Sequence, residues 1–136
     1  MKFSGYSLSP LSKKLGLKPG YSLLSVNAPV DYINSLSPLP EQCSIFTEFR
    51  PDCDIVHAFY HWQKELEQQY PQLVSSIHRN GMIWISWPKG SSKVPTDLNR
   101  DWIREYILDQ GLVDVKVASY DDVYSGLKFV YRLKDR

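Results

Sequence analysis

Residues 82–87 read Met82-Ile83-Trp84-Ile85-Ser86-Trp87 (MIWISW), apolar but for a single hydroxyl. An extended segment of this kind has no face to give to water. It predicts a strand covered on both sides, as in the middle of a parallel sheet. Upstream, residues 54–60 (DIVHAFY) have the same character, and residues 21–26 (YSLLSV) and 43–49 are two further candidate strands. Downstream the pattern changes. Val113, Val115 and Val117 alternate with Asp114 and Lys116, and Leu127, Phe129, Tyr131 and Leu133 alternate with Lys128, Val130, Arg132 and Lys134. Alternation at period two predicts half-wet strands paired antiparallel. Helical segments separate the strands, so the chain reads as α/β with right-handed crossovers. The expected architecture is a three-layer sandwich with helices on both faces of a mostly parallel six-stranded sheet, its last strand antiparallel.

The helices are read from their ends. Ser9-Pro10 starts a short helix that Gly16 stops, and Lys18-Pro19-Gly20 is a turn. A second short helix is expected near residues 30–36, broken by Ser37-Pro38-Leu39-Pro40. Trp62, Leu66, Leu73 and Ile77 recur at helical spacing; Pro71 predicts a kink or restart there, and Gly81 a stop. Thr96 or Asp97 is expected to cap the next helix, whose buried stripe is Leu98, Trp102, Tyr106 and Ile107 and whose end is Gly111.

A chain of 136 residues is the length of one domain, 1–136, with residues 1–19 as a helical N-terminal extension packed on it. Apolar residues at 43% and charged residues at 23% exclude disordered, collagen-like and coiled-coil classes. A net charge of +1 gives no global field to recruit nucleic acid or an anionic membrane. The charge is nevertheless uneven: residues 1–20 carry four lysines and no acid, whereas residues 31–70 carry seven acids against two bases. No apolar run approaches a membrane span, and the start of the chain lacks a signal-peptide core. Cys43 and Cys53 form no Cys-x-x-Cys motif, and reduced thiols in a cytoplasmic protein are expected.

An antiparallel pair closing an otherwise parallel sheet resembles the class I methyltransferase arrangement, a Rossmann-like fold, and that resemblance implies the strand order 2-1-3-4-6-5 with strand 6 antiparallel. Segments similar to that class are Lys18-Pro19-Gly20, Asp54-Ile55-Val56, Asn80-Gly81-Met82-Ile83-Trp84-Ile85, Leu112-Val113-Asp114-Val115 and the closing strand. A narrower resemblance spans nearly the whole chain. Ser4-Gly5-Tyr6-Ser7, LSKKLGLKPG (11–20), Trp87-Pro88-Lys89, Val94-Pro95-Thr96-Asp97-Leu98, GLVDVKV (111–117) and YSGLKFV (124–130) resemble bacterial domain-of-unknown-function family 3052. That resemblance implies a small cytosolic bacterial protein and supplies no catalytic residue.

The methyltransferase resemblance implies a glycine-rich turn after the first strand, where backbone approaches the ligand. Here that turn is Val26-Asn27-Ala28-Pro29-Val30-Asp31, with no glycine and with a proline that removes a donor. The resemblance also implies an acid at the end of strand 2 for the ribose hydroxyls, a place near Glu48, and the chain reads one strand–helix unit short. The glycine-free turn argues against S-adenosylmethionine, and no nicotinamide motif is present. No cofactor, catalytic residue or metal ligand is therefore assigned.

Candidate ligand contacts are Asn27, His61, Trp87, Lys89, Ser91, Ser92 and Lys93. The loop PKGSSK (88–93) follows the central strand at the carboxyl edge, where open α/β sheets bind ligands. Its lysines and hydroxyls before a helix either cradle a small anion or form a solvated loop whose helix is capped by Thr96 and Asp97. His61 falls at the end of the third strand, placed for proton transfer or idle in a loop. Trp87 ends the fourth strand, in a pocket or in the core. Cys53, His57 and His61 are spaced by four. On a strand the outer two stand roughly 26 Å apart, too far to share a metal. Asp121-Asp122 reads as a cation site or a plain turn. The Lys13-Lys14-x-x-x-Lys18 patch is expected to leave its charges in water rather than on nucleic acid.

Missing glycines, small size and the lack of an acid–base pair favour a non-catalytic ligand-binding or regulatory module on a degenerate methyltransferase-like scaffold. The alternatives are an enzyme using an adenosyl or nucleotide ligand in the carboxyl-edge crevice, and a protein-interaction module. The partner is a small anionic ligand or another protein, with no membrane involved.

Overall fold

In the computed structural model, which describes residues 10–136, the two apolar runs lie side by side at the centre of the sheet. β3 (Cys53–Phe59) and β4 (Ile77–Pro88) pair in parallel, with Ile55 opposite Met82 and Phe59 opposite Ser86. β1 (Ser22–Val26) lies parallel on the other side of β3, and β2 (Ser44–Phe46) lies parallel outside β1. β6 (Tyr124–Tyr131) is antiparallel to β4, and β5 (Leu112–Ser119) is antiparallel to β6. The sheet order is β2-β1-β3-β4-β6-β5, as the methyltransferase resemblance implies. Central strands buried on both faces need a helical layer above and below.

One face is covered by α3 (Gln63–Ser75) and α4 (Arg100–Asp109), whose Leu66, Leu73, Ile103 and Ile107 pack on Val56, Ala58, Ile83 and Ile85. The other is covered by α1 (Leu11–Leu15) and α2 (Tyr32–Ser35), whose Leu15 and Tyr32 pack on Leu23, Ile55, Phe59 and Trp84. The indole N–H of Trp84 donates to the Leu15 carbonyl at 3.1 Å and so fastens α1 to the sheet. Gly16 ends α1 in the left-handed region, φ 90°, which favours glycine at that position. Ser9, the expected cap, lies outside the described residues. No helix among those described is long and apolar enough to cross a membrane.

Several local expectations are corrected. β2 keeps only the middle of residues 43–49. α3 runs through Pro71 without a restart, because Leu66, Tyr70 and Leu73 bury both of its halves against the sheet. Nor does Gly81 end that helix. The chain turns at Ser76 and enters β4 at Ile77. Gly81 lies in a bulge, since Cys53 pairs with Ile77 but Ile55 pairs with Met82. A side chain at Gly81 would stand 3.0 Å from the Cys53 carbonyl oxygen. His78 pins the bulge, with its Nε2 at 2.7 Å from Asp54 Oδ1. A second bulge, between Asp114 and Lys116, breaks the alternation read for β5. α4 is capped by Asn99, whose Oδ1 accepts the Trp102 N–H, not by Thr96 or Asp97.

Within the apolar sheet, His57 is only 1% exposed. Its Nδ1 meets the Tyr32 hydroxyl and its Nε2 meets Ser86 Oγ, both at 2.8 Å. Burial pushes its pKa down to about 3, so the ring is neutral in the folded protein. The unfolded chain binds a proton at this ring below a pH of about 6.5, and the folded chain does not until about 3. Stability is expected to fall as pH drops through that window. In His57→Gln, which keeps hydrogen-bonding capacity, the slope of unfolding free energy against pH should flatten there; an unchanged slope in urea titrations would contradict the assignment. Gly81→Ala should lower stability by about 1–3 kcal/mol, the usual cost of overpacking. An unchanged urea midpoint would show that the bulge has room.

Candidate functional site

The chain leaves β1 towards β2 on one side and returns to β3 on the other, so the topological switch point lies between β1 and β3. Open α/β sheets bind ligands outside the carboxyl ends of the strands at such a point. Asn27 stands there, directly after β1, in the left-handed conformation with φ 58°. Asparagine is among the few residues with a side chain that enter this region readily. Its Nδ2 donates to the Phe59 carbonyl at 3.2 Å, bridging the ends of β1 and β3. The tight turn for which the resemblance implies glycine is thus made by an asparagine.

Beside Asn27 is a polar recess of about 180 Å³, completed by Glu65, Gln68 and Gln69 of α3. Glu65 Oε1 accepts the backbone N–H groups of His61 and Trp62 at 3.3 and 3.2 Å, which fixes the start of the helix over the recess. Asp97 adds a cap, its Oδ1 accepting the Gln63 N–H at 2.7 Å. A second, wider recess of about 390 Å³ surrounds the carboxyl end of β2 and includes Glu48 and Arg50. The Arg50 guanidinium lies 3.7 Å from the centre of the Phe46 ring.

Further along the edge, His61 Nε2 meets the Tyr124 hydroxyl at 2.9 Å. The Lys89 N–H donates to the Val123 carbonyl at 2.8 Å, so Lys89 stands beside the same segment. Burial, then the charge of Asp121, raises the Tyr124 pKa above the usual phenol value. Asp121 itself forms a turn, its Oδ1 accepting the N–H groups of Val123 and Tyr124.

The predicted site residues therefore divide. Asn27 lines the recess at the switch point. His61 and Lys89 flank the end of β4. Trp87 is 6% exposed and packs in the core beneath α3 and α4. Ser91 and Lys93 lie exposed on the loop, and Ser92 closes it, donating from Oγ to the Lys89 carbonyl and accepting the Val94 N–H. The loop does not lead directly into a helix, since α4 begins at Arg100. The anion cradle built on that helix end is withdrawn. Glu65, Gln68 and Gln69 escaped the sequence reading, although their i, i+3, i+4 spacing puts them on one helical face just past a strand end.

No family model matches the chain, and no curated protein matches it. Solved structures do. A SAM-dependent methyltransferase from Aquifex aeolicus superposes with a TM-score of 0.61 at 14% identity, covering 88% of this chain and 86% of that one. The DhpI–SAH complex gives 0.62 at 11% identity, covering 91% and 83%. Magnesium protoporphyrin IX methyltransferase from Synechocystis with bound SAH gives 0.58 at 13% identity, covering 84% and 75%. The fold is that of the SAM-dependent methyltransferases. Two of these neighbours are methyltransferases by name and two were solved with SAH, and they overturn the reading of the scaffold as a non-catalytic module. That reading took the absence of glycine for the absence of the turn. Asn27 supplies the turn.

The turn has a measurable signature. Asn27→Val should destabilise the protein by about 1–2 kcal/mol, the cost of a left-handed conformation for a residue with an ordinary side chain. Asn27→Gly should cost less, because glycine enters that region without strain. Equal losses in urea unfolding would mean that the Asn27–Phe59 hydrogen bond, not the backbone conformation, is what matters.

Proposed function

We propose that this protein is an enzyme that binds an adenosyl compound, S-adenosylmethionine, at the carboxyl edge between β1 and β3, and transfers its methyl group. The observation that carries the reading is the left-handed Asn27 turn at the switch point, with a polar recess beside it. When bound, the ligand supplies an electrophilic methyl on a sulfonium. Glu48, just past the end of β2, is suited to accept hydrogen bonds from the ribose hydroxyls. Glu65 and the amides of Gln68 and Gln69 are suited to the charged amino-acid end. The edge holding His61, Tyr124 and Lys89 is where the acceptor would sit, with the His61 ring held there by the Tyr124 hydroxyl.

The proposal includes a single domain over residues 1–136, cytoplasmic and bacterial, in keeping with the resemblance to domain-of-unknown-function family 3052 carried by the motifs quoted above. A protein-interaction role has no observation of its own in this crevice.

Calorimetry with S-adenosylhomocysteine is the test, with ATP, a nicotinamide cofactor and inorganic phosphate as comparisons. Saturable binding of the adenosyl compound alone is expected. At ~100 times its dissociation constant it should add roughly 2.7 kcal/mol of stability. Glu48→Gln should weaken binding about tenfold, the worth of a hydrogen bond to a charged acceptor, without lowering the melting temperature of the unliganded protein. No heat and no stabilisation with S-adenosylhomocysteine would overturn the proposal.

A further inference from the structure

The bulge in β5 has a consequence for charge. Asp114 pairs with Phe129 and faces α4, where its Oδ2 accepts from Arg104 Nε at 3.1 Å. One bulged residue later, Lys116 faces the opposite way and pairs directly with Lys128. Without the bulge, Asp114 and Lys116 would share a face. The bulge therefore removes the neighbouring acid and leaves two lysines opposed across strands, an arrangement that costs stability.

Other lysines join them. Lys128 pairs with Trp84, the residue that fastens α1, so this is the face that carries α1. Lys14 of α1 reaches the end of β5, its Nζ donating to the Ser119 carbonyl at 3.3 Å. Burial, then the charges of Lys89 and Lys116, hold the Lys14 ammonium below the usual lysine range. Burial, then Lys116 and Lys18, do the same to Lys128. Lys14, Lys18, Lys89, Lys116 and Lys128 thus form one stripe across the α1 side of β5 and β6, ending at the carboxyl edge. Among the described residues no ion pair links any of these lysines to an acid.

We infer that this lysine stripe binds the phosphodiester backbone of a single-stranded nucleic acid. Neighbouring like charges that are partly desolvated await an anion, and a chain of phosphates supplies one at each step. All five cations are lysines. A lysine meets phosphate as a mobile point charge that needs no fixed fork geometry, which suits a flexible chain of phosphates. The sequence alone showed three charges near the N-terminus and a net charge of +1, too little for such binding. Folding brings in Lys89, Lys116 and Lys128 from distant segments, and the bulge turns Asp114 to the other face. The stripe lies apart from the recess between β1 and β3, and its role does not depend on the adenosyl reading.

The test is fluorescence anisotropy of the full chain with a labelled single-stranded RNA of about 16 nucleotides. Each neutralised phosphate contributes about −0.7 to the slope of log K against log salt, so three to five contacts give a slope of roughly −2 to −3.5. Affinity should fall about twenty- to a hundredfold between about 50 and about 200 mM salt. The double variant Lys116→Gln/Lys128→Gln should shrink the slope by roughly 1.4 and weaken binding at low salt. Its melting temperature should hold or rise, because a repulsive pair is gone. Lys116→Arg/Lys128→Arg, which keeps both charges, should keep the binding. The inference is overturned by absence of saturable binding at low salt, by binding that the neutral variant leaves unchanged, or by preference for polyglutamate or anionic phospholipid vesicles over RNA.

Discussion

The two hydrogen bonds of His57 tie the centre of the sheet to the crevice at its edge. A polar ring in the middle strand of a fully covered sheet is costly unless both nitrogens are satisfied. Ser86 on β4 satisfies one, and Tyr32 on α2 the other. α2 has only four residues, no side-chain cap and a length at which no helix stands alone in water. Tyr32, 1% exposed, packs edge-on against Phe59 with ring centres 5.6 Å apart. Its phenol, pushed by burial well above the usual range, stays protonated to reach His57. The helix is therefore placed by its buried tyrosine. The short turn from Asn27 to α2 is held in turn between that anchor and the Asn27–Phe59 hydrogen bond. A crevice of defined shape follows from a histidine that had to be satisfied.

How much of this can be read in the chain depends on whether the deciding contact is local. The layering and the antiparallel closing pair follow from apolar runs and alternation, whereas the strand order comes with the methyltransferase resemblance. The ends of α1 and α4 follow from Gly16 and Gly111, both with positive φ. The caps of α3 and α4 do not. Asp97 precedes α4 in sequence, yet it caps α3 because the loop folds back beside His61. The bulge at Gly81 was mistaken for a helix end because a glycine signals both, and only pairing with Cys53 distinguishes them. The bulge in β5 is silent in a sequence that alternates without a flaw. Likewise Asn27 carries no sign that it replaces a glycine. That depends on a φ value, and the value depends on where α2 is anchored.

The crevice differs from a fully built one at the β2 side, and the geometry shows why. β2 ends at Phe46 and β3 begins at Cys53, leaving six residues to join two parallel strands with β1 between them. Parallel crossovers usually take a dozen residues or more. Phe46 pairs with Leu24, which pairs with Val56, so the chain must return only about three residues along the strand direction, ~10 Å. Crossing two strand spacings adds about 10 Å more sideways. Six extended residues reach about 20 Å, enough for the diagonal but not for a helix. The brevity of β2 is thus what allows so short a connection. The segment crosses on the α3 side, where Phe49, Arg50 and Pro51 border a recess with Pro71, Gln72 and Ser75. Among the described residues, no strand stands beyond β2 to close the crevice there. A ligand with its ribose near Glu48 would have its base against Phe46 and Arg50, in contact with solvent. Selectivity for the base would rest on that one arginine–aromatic pair, while the polar end of the ligand would be held by α3.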